Sequence, residues 1–235
     1  GVSRAVVDEA QRQNMIAVDA TCPLVTKVHI ETRRHAEKKR HILLIGHAGH
    51  PEVEGTMGQV SPDEVTLIET VEDARTVSPP NGMALAFATQ TILSIDDTSE
   101  IISVLQFRFP EISGPRGEDI CYATTNRQKA VKDIAASVDL MLVIGAENSS
   151  NSQRLVEVAK VAGAGKSLLI SGKDAIDWEV VNDAQHIGLS AGASAPESLV
   201  KDVVAALCER YQIDLNEKGE IRETVSFKLP AILKN

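Results

Sequence analysis

Aromatic side chains are nearly missing from this sequence: one Trp, two Tyr and four Phe among 235 residues. The core must therefore be built from Val, Ile, Leu and Ala. Positive charge is also short, with 24 Lys and Arg against 33 Asp and Glu and a net charge of −9. A chain this acidic lacks the cationic surface that a general nucleic-acid or anionic-membrane binder requires, which leaves only a local basic pocket open. Cysteine is sparse: Cys22, Cys121 and Cys208 are too few and too scattered for a disulfide framework. No run approaches the roughly 20 apolar residues needed to span a bilayer, and the N-terminus has no apolar signal region. These absences lead us to expect a soluble protein of a reducing, cytoplasmic compartment. The chain opens at Gly1 without an initiator Met, so it reads as processed or as a piece of something longer. Its 43% hydrophobic and 24% charged residues are those of a globular chain, and its length suits one large domain or two ordinary ones.

What the sequence does have is alternation. Strands are expected at 15–19, 42–45, 65–68, 84–88, 140–144, 167–170 and 186–189, and helices at 1–14, 24–40, 94–107, 126–138, 152–162 and 195–211. Ile42-Leu43-Leu44-Ile45 and Met141-Leu142-Val143-Ile144 are continuous apolar runs, which suits strands buried on both faces. The last helix opens with Ser194-Ala195-Pro196-Glu197, a capping Ser ahead of a Pro in the first turn. Strands alternating with helices over short connections predict an α/β fold with parallel sheets.

The chain also repeats itself. Cys22 and Cys121 stand 99 residues apart, as do Gly46 and Gly145, each of which closes an apolar strand. The same order of parts follows in both halves: a polar turn, a second strand, a Thr/Ser-bearing strand end and a final helix. The turns are His47-Ala48-Gly49-His50-Pro51-Glu52 and Ala146-Glu147-Asn148-Ser149-Ser150-Asn151; the strand ends are Thr89-Gln90-Thr91 and Ser190-Ala191-Gly192-Ala193-Ser194. We therefore expect two repeated parallel-sheet modules, 22–117 and 118–235, the second with a C-terminal tail, joined at the Gly/Pro-bearing stretch 112–117. Residues 1–21 fit neither copy and read as the end of an earlier module whose beginning is absent.

In open parallel sheets, ligands bind at the carboxyl ends of the strands, where turns lead into helix N-termini. Both polar turns occupy that place. Free N–H groups and the helix dipole there favour an anion such as phosphate, and His50, Ser149, Asn151 and Ser194 offer further donors. An equal reading is that Asn148-Ser149-Ser150-Asn151 simply caps a helix. Cys22 and Cys121, at matching places in the repeats, are candidate thiolate ligands for iron–sulfur or zinc, or two small buried hydrophobes. Cys208 falls in the apolar pattern of the last helix and reads as core. Glu52 is a proton donor if it lies near bound phosphate, but on residues alone the solvated first-turn carboxylate is the stronger reading. His47 and His50 form a weak zinc signal, since Gly49 and Pro51 interrupt any helix that would align them. His29, His35 and His41 belong to a basic stretch and are expected in solvent.

Together, Asp19-Ala20-Thr21-Cys22-Pro23-Leu24-Val25, Gly46-His47-Ala48-Gly49-His50-Pro51-Glu52-Val53-Glu54-Gly55-Thr56, Thr89-Gln90-Thr91, Asp119-Ile120-Cys121-Tyr122-Ala123-Thr124-Thr125-Asn126-Arg127-Gln128, Asn148-Ser149-Ser150-Asn151-Ser152 and Ala191-Gly192-Ala193-Ser194-Ala195-Pro196 resemble, in order, the signatures of the 4-hydroxy-3-methylbut-2-enyl diphosphate reductase family. These iron–sulfur enzymes end the methylerythritol phosphate route to isoprenoids. The resemblance spans essentially the whole chain. It implies three similar α/β units around a pseudo-threefold axis, with the repeats as the second and third and the first mostly missing.

By the same resemblance, Cys22 and Cys121 are two of three ligands to a 4Fe-4S cluster, the third being absent from this chain. His50, Ser149, Ser150, Asn151 and Ser194 bind the diphosphate of a small-molecule substrate. Glu52 is the proton donor and Thr91 organises the substrate hydroxyl. The implied reaction is reductive dehydration to isopentenyl and dimethylallyl diphosphate, fed by an electron donor such as ferredoxin or flavodoxin. With the third ligand and two histidines of the clamp absent, this chain by itself is expected to be inactive. A truncated, catalytically incompetent diphosphate-binding domain is the alternative, and a zinc hydrolase using Cys22, Cys121 and His50 a more distant one.

Overall fold

Every side chain from Ile42 to Ile45 is buried, and so is every one from Leu140 to Ile144. A strand buried on both faces needs strands at both edges and helices above and below. The computed structural model, which describes residues 1–115, 120–218 and 233, supplies both. The chain divides into two units, one holding Gly1–Cys121 and the other beginning at Tyr122. The module boundary expected at 117–118 lies outside the described residues.

In the first unit, β1 (Arg40–Ile45) is central, with β2 (Val65–Ile68) and β3 (Ala84–Thr89) parallel on either side. Side chains alternate across a strand, so β1 feeds two cores. Leu43 and Ile45 pack with Ile68 and Phe87 against α4 (Val71–Thr76) and α5 (Ile95–Arg108), through Ala74, Ile101 and Leu105. Ile42 and Leu44 pack on the other face against α2 (Pro23–Glu37) and α3 (Pro51–Met57), through Val28 and Val53. Burying each such Ile, Leu or Val contributes about 1.5–3 kcal/mol.

The second unit repeats the plan. β4 (Leu140–Ile144) lies between β5 (Lys166–Ile170) and β6 (Ile187–Ala191), again parallel. Leu140, Leu142 and Ile144 face α8 (Trp178–Asn182) and α9 (Glu197–Arg210), while Met141 and Val143 face α6 (Tyr122–Ala135) and α7 (Ser150–Val161). The strand exits match as well. Gly46 N–H donates to Ile68 O at 3.0 Å and Gly145 N–H to Ile170 O at 2.9 Å; Gln90 N–H donates to Ile45 O and Gly192 N–H to Ile144 O, both at 2.8 Å. The expected α/β class, parallel sheets and repeat are all present.

Two local expectations, the strand at 15–19 and the Ser194 cap, are corrected. Residues 15–19 form no strand: they leave α1 (Arg4–Arg12) as extended chain with no ladder partner among the described residues, and Ile16 is 85% exposed. Alternation without a neighbouring strand is not enough to make one. As expected, no helix runs through His47 and His50: Pro51 opens α3, where its missing N–H costs nothing. Ser194 does not cap α9; Pro196 holds the N-cap position. Residues 1–21 lie within the first unit, with Arg4 N–H donating to Gly58 O at 3.0 Å and Gln59 Nε2 to Val2 O at 2.9 Å. Among the described residues no helix is long and apolar enough to cross a membrane.

Candidate functional site

At the carboxyl end of β1, the turn between Gly46 and α3 is held at both ends. Gly49 sits at φ +74°, a left-handed conformation that glycine adopts without strain. His47 N–H donates to Gln90 Oε1 at 3.1 Å and Ala48 N–H to Glu69 Oε2 at 2.8 Å. His50 is the N-cap of α3, and its Nδ1 accepts the Glu52 N–H at 3.1 Å. With Nδ1 an acceptor, the neutral ring carries its proton on Nε2 and is a donor there. Burial, then the neighbouring His47, holds the His50 pKa below the ordinary histidine value and so favours that neutral form.

One residue into α3, Glu52 is only 7% exposed. The solvated reading of this carboxylate is wrong, because Thr91 meets it from the end of β3. Thr91 N–H donates to Glu52 Oε1 at 2.7 Å and Thr91 Oγ–H to Oε2 at 2.9 Å. Thr91 is itself buried, and its carbonyl accepts the Cys121 N–H at 2.9 Å. Glu52, Thr91 and Cys121 thus form one hydrogen-bonded series joining residues far apart in sequence. Cys121 is half-buried directly before α6, and Cys22 is exposed directly before Pro23 of α2. Both thiols are free, and each helix start favours negative charge. Among the described residues no group of three or more His, Cys, Asp or Glu is placed to hold a metal ion.

Gln90 carries no chemical signal of its own in the sequence. It is fully buried, its Oε1 pins the His47 turn, and its Nε2 has no hydrogen-bond partner among the described residues. The one available signal was its place between Thr89 and Thr91 in a polar strand end.

In the second unit the corresponding turn leads into α7. Ser149 is the N-cap; its Oγ accepts Ser152 N–H at 3.3 Å and Ser152 Oγ–H at 2.9 Å. Ser150 is the first residue of α7 and half-buried. Asn151 holds both amide atoms, Oδ1 and Nδ2, buried without a partner among the described residues, an arrangement that helix capping does not account for. Ser194 is exposed in the turn after β6, where Ala195 N–H donates to Gly192 O at 3.0 Å.

The remaining candidates fall outside these sites. Cys208 is exposed rather than core: it follows Leu207 on α9, one step around the helix from the buried stripe of Val203 and Leu207. His29 and His41 are buried rather than solvated, His41 because it lies on β1 with its Nε2 2.8 Å from Thr66 Oγ1 of β2. His35 is half-buried, with its Nδ1 3.3 Å from Arg40 Nη1. His47 and His50 both precede α3 and share no helix face.

The LytB protein family matches residues 1–208 of this sequence. The 4-hydroxy-3-methylbut-2-enyl diphosphate reductase of Gluconobacter oxydans (strain 621H) is 55% identical over 99% of this chain and 70% of its own length. The protein of that name from Hyphomonas neptunium is 57% identical over 99% of this chain and 74% of its own. Among solved structures, the E-1-hydroxy-2-methyl-but-2-enyl-4-diphosphate reductase from Plasmodium falciparum superposes with a TM-score of 0.92 at 33% identity, covering 99% of this chain and 73% of that one.

Proposed function

The chain belongs to the LytB protein family, and from that premise we propose that it carries the reduction of 4-hydroxy-3-methylbut-2-enyl diphosphate in the isoprenoid route that ends at this step. The reaction consumes two electrons and two protons. The allylic C–O bond breaks, its oxygen leaves as water after taking one proton, and the allyl group takes the electron pair and the second proton to give isopentenyl or dimethylallyl diphosphate.

Cys22 and Cys121 fit an iron–sulfur centre: both are free thiols at helix starts, and thiolates are the ligands such centres use. When bound, a 4Fe-4S cluster supplies the electrons and a Lewis acid, with a ferredoxin- or flavodoxin-type protein as the donor. His50 presents an Nε2–H donor to a diphosphate oxygen, and Ser149, Ser150 and Ser194 present hydroxyls. The orphaned Nδ2 of Asn151 offers a further donor to such an anion. Helix N-termini behind His50 and Ser149 add the positive ends of their dipoles.

The observation that carries the reading is the pairing of Glu52 with Thr91 through both carboxylate oxygens. When Glu52 is protonated on Oε2 the Oε2–Oγ hydrogen bond reverses: Glu52 gives its proton to the Thr91 oxygen as the Thr91 hydroxyl, turned away from Glu52, gives its own to the leaving oxygen of the substrate. One proton is thereby moved without exposing the carboxyl to water.

Glu52→Gln keeps the shape and an acceptor for Thr91 N–H but has no proton to give. In the full-length protein, kcat with a chemical reductant should fall about 10²–10⁴-fold, while the calorimetric dissociation constant of the substrate stays within a few-fold of wild type. Normal turnover at saturation with poor binding would make Glu52 a binding residue and defeat this reading.

A further inference from the structure

Ser152 lies one residue past Asn151 and is fully buried, at 0% exposure, on the first turn of α7. A Cβ added to either Gly145 or Gly192 would stand 2.1 Å from its Oγ. The hydroxyl therefore occupies a socket between two strand exits that only glycine leaves open. Its acceptor is the Ser149 Oγ at 2.9 Å, and that same oxygen also accepts the Ser152 N–H at 3.3 Å. Were the Oγ–Oγ bond reversed, the Ser152 proton would be closed in the socket without an acceptor among the described residues, which is unfavourable for a buried hydroxyl. A hydroxyl oxygen has two lone pairs and one proton. With both lone pairs of Ser149 occupied by Ser152, the one remaining interaction of Ser149 is to donate.

We propose that Ser152 is a positioning residue that makes the Ser149 hydroxyl an obligate donor, aimed at an anionic oxygen of the bound diphosphate. The inference rests on the assignment of Ser149 as a diphosphate-binding residue and deepens it. The first unit achieves the same end differently. There the residue 99 positions earlier is Val53, buried and apolar, and the cap is His50, whose ring fixes its donor by accepting at Nδ1. The second unit caps with a freely rotating hydroxyl, so a second hydroxyl is needed to set its direction.

The test uses inorganic pyrophosphate as the probe, with isothermal titration calorimetry on the full-length protein. Ser152→Ala should weaken binding about fivefold, the loss of one orienting hydrogen bond, and Ser149→Ala at least as much. The double variant should bind within about twofold of Ser149→Ala alone, because Ser152 acts through Ser149. A purely structural role would not produce that saturation. Ser152→Cys fills the socket but donates weakly, and should lose affinity as Ala does. The inference is overturned if Ser152→Ala binds as wild type does, if its loss adds in full to that of Ser149→Ala, or if Ser152→Cys restores affinity. Failure of the wild-type protein to bind pyrophosphate at all would instead remove the diphosphate assignment of Ser149 on which the inference stands.

Discussion

Thr91 is bound to Glu52 by two hydrogen bonds of different origin, and they can be separated. The backbone N–H reaches Oε1 whatever the side chain, whereas only the hydroxyl reaches Oε2. Thr91→Val keeps the shape and the first bond and removes the second. Turnover should therefore fall by less than in Glu52→Gln, about 10–10²-fold, since the carboxyl stays in place and only the relay is lost. Thr91→Ser should restore most of it. Steady-state kinetics on the two variants decide the matter: a loss in Ser that Val does not show would mean that the methyl group, not the hydroxyl, is what counts. The burial of Glu52 was not legible in the sequence, because the partner that makes it tolerable lies 39 residues away. Without Thr91 in view, an exposed first-turn carboxylate was the cheaper reading. His50 and Ser149, by contrast, act within their own turns, and there local sequence carried the information.

At the level of elements, what could be read was whatever a strand or helix announces by its own length and period. The apolar runs of β1 and β4 and the long helices were legible for that reason. The 7 residues of α3, 6 of α4 and 5 of α8 are too few to display a helical period, and only the start of α3, after the first polar turn, is legible. The junction of β4 with α7 shows what the repeat demanded in return. Gly145→Ala would place its Cβ 2.1 Å from Ser152 Oγ and 2.6 Å from Ser152 Cβ, inside a closed socket. Overpacking of this kind costs about 1–3 kcal/mol, so thermal unfolding should shift down by several degrees. Gly49→Ala has nothing within 4 Å of the new carbon and is strained only through its φ of +74°. It should cost about 1 kcal/mol. Differential scanning calorimetry of the two variants should rank them in that order; a Gly49 variant the less stable of the two would show that φ, not the socket, dominates.

Across the whole molecule, the buried histidines make acid the condition to which the fold should be most sensitive. His29, His35, His41 and His50 all have pKa values lowered chiefly by burial. For His29 the value falls from 6.5 to about 4, through burial first and then the positive charge of Arg33, with Asp19 opposing. Between those two values the unfolded chain binds a proton that the folded chain refuses, so stability present above pH 6.5 is lost as the pH falls. His29 alone, at 7% exposure, contributes on the order of 2–3 kcal/mol by pH 4. The carboxylates act in a separate, lower window. Asp19 is held below its ordinary 3.8 by hydrogen bonds from Thr21, and Asp73 by N–H donors of Glu69 and Thr70. Their contribution is present above 3.8 and disappears only as the pH falls through their lower folded values. The melting temperature should accordingly begin to drop near pH 6.5, before Asp19 or Asp73 titrates. In His29→Gln the slope between pH 6.5 and 4 should be shallower, because the substituted side chain has no proton to take up. The slope is the readout, since Gln also alters packing and so the absolute melting temperature. Parallel curves for the two proteins across that window would show that His29 is not held neutral in the fold.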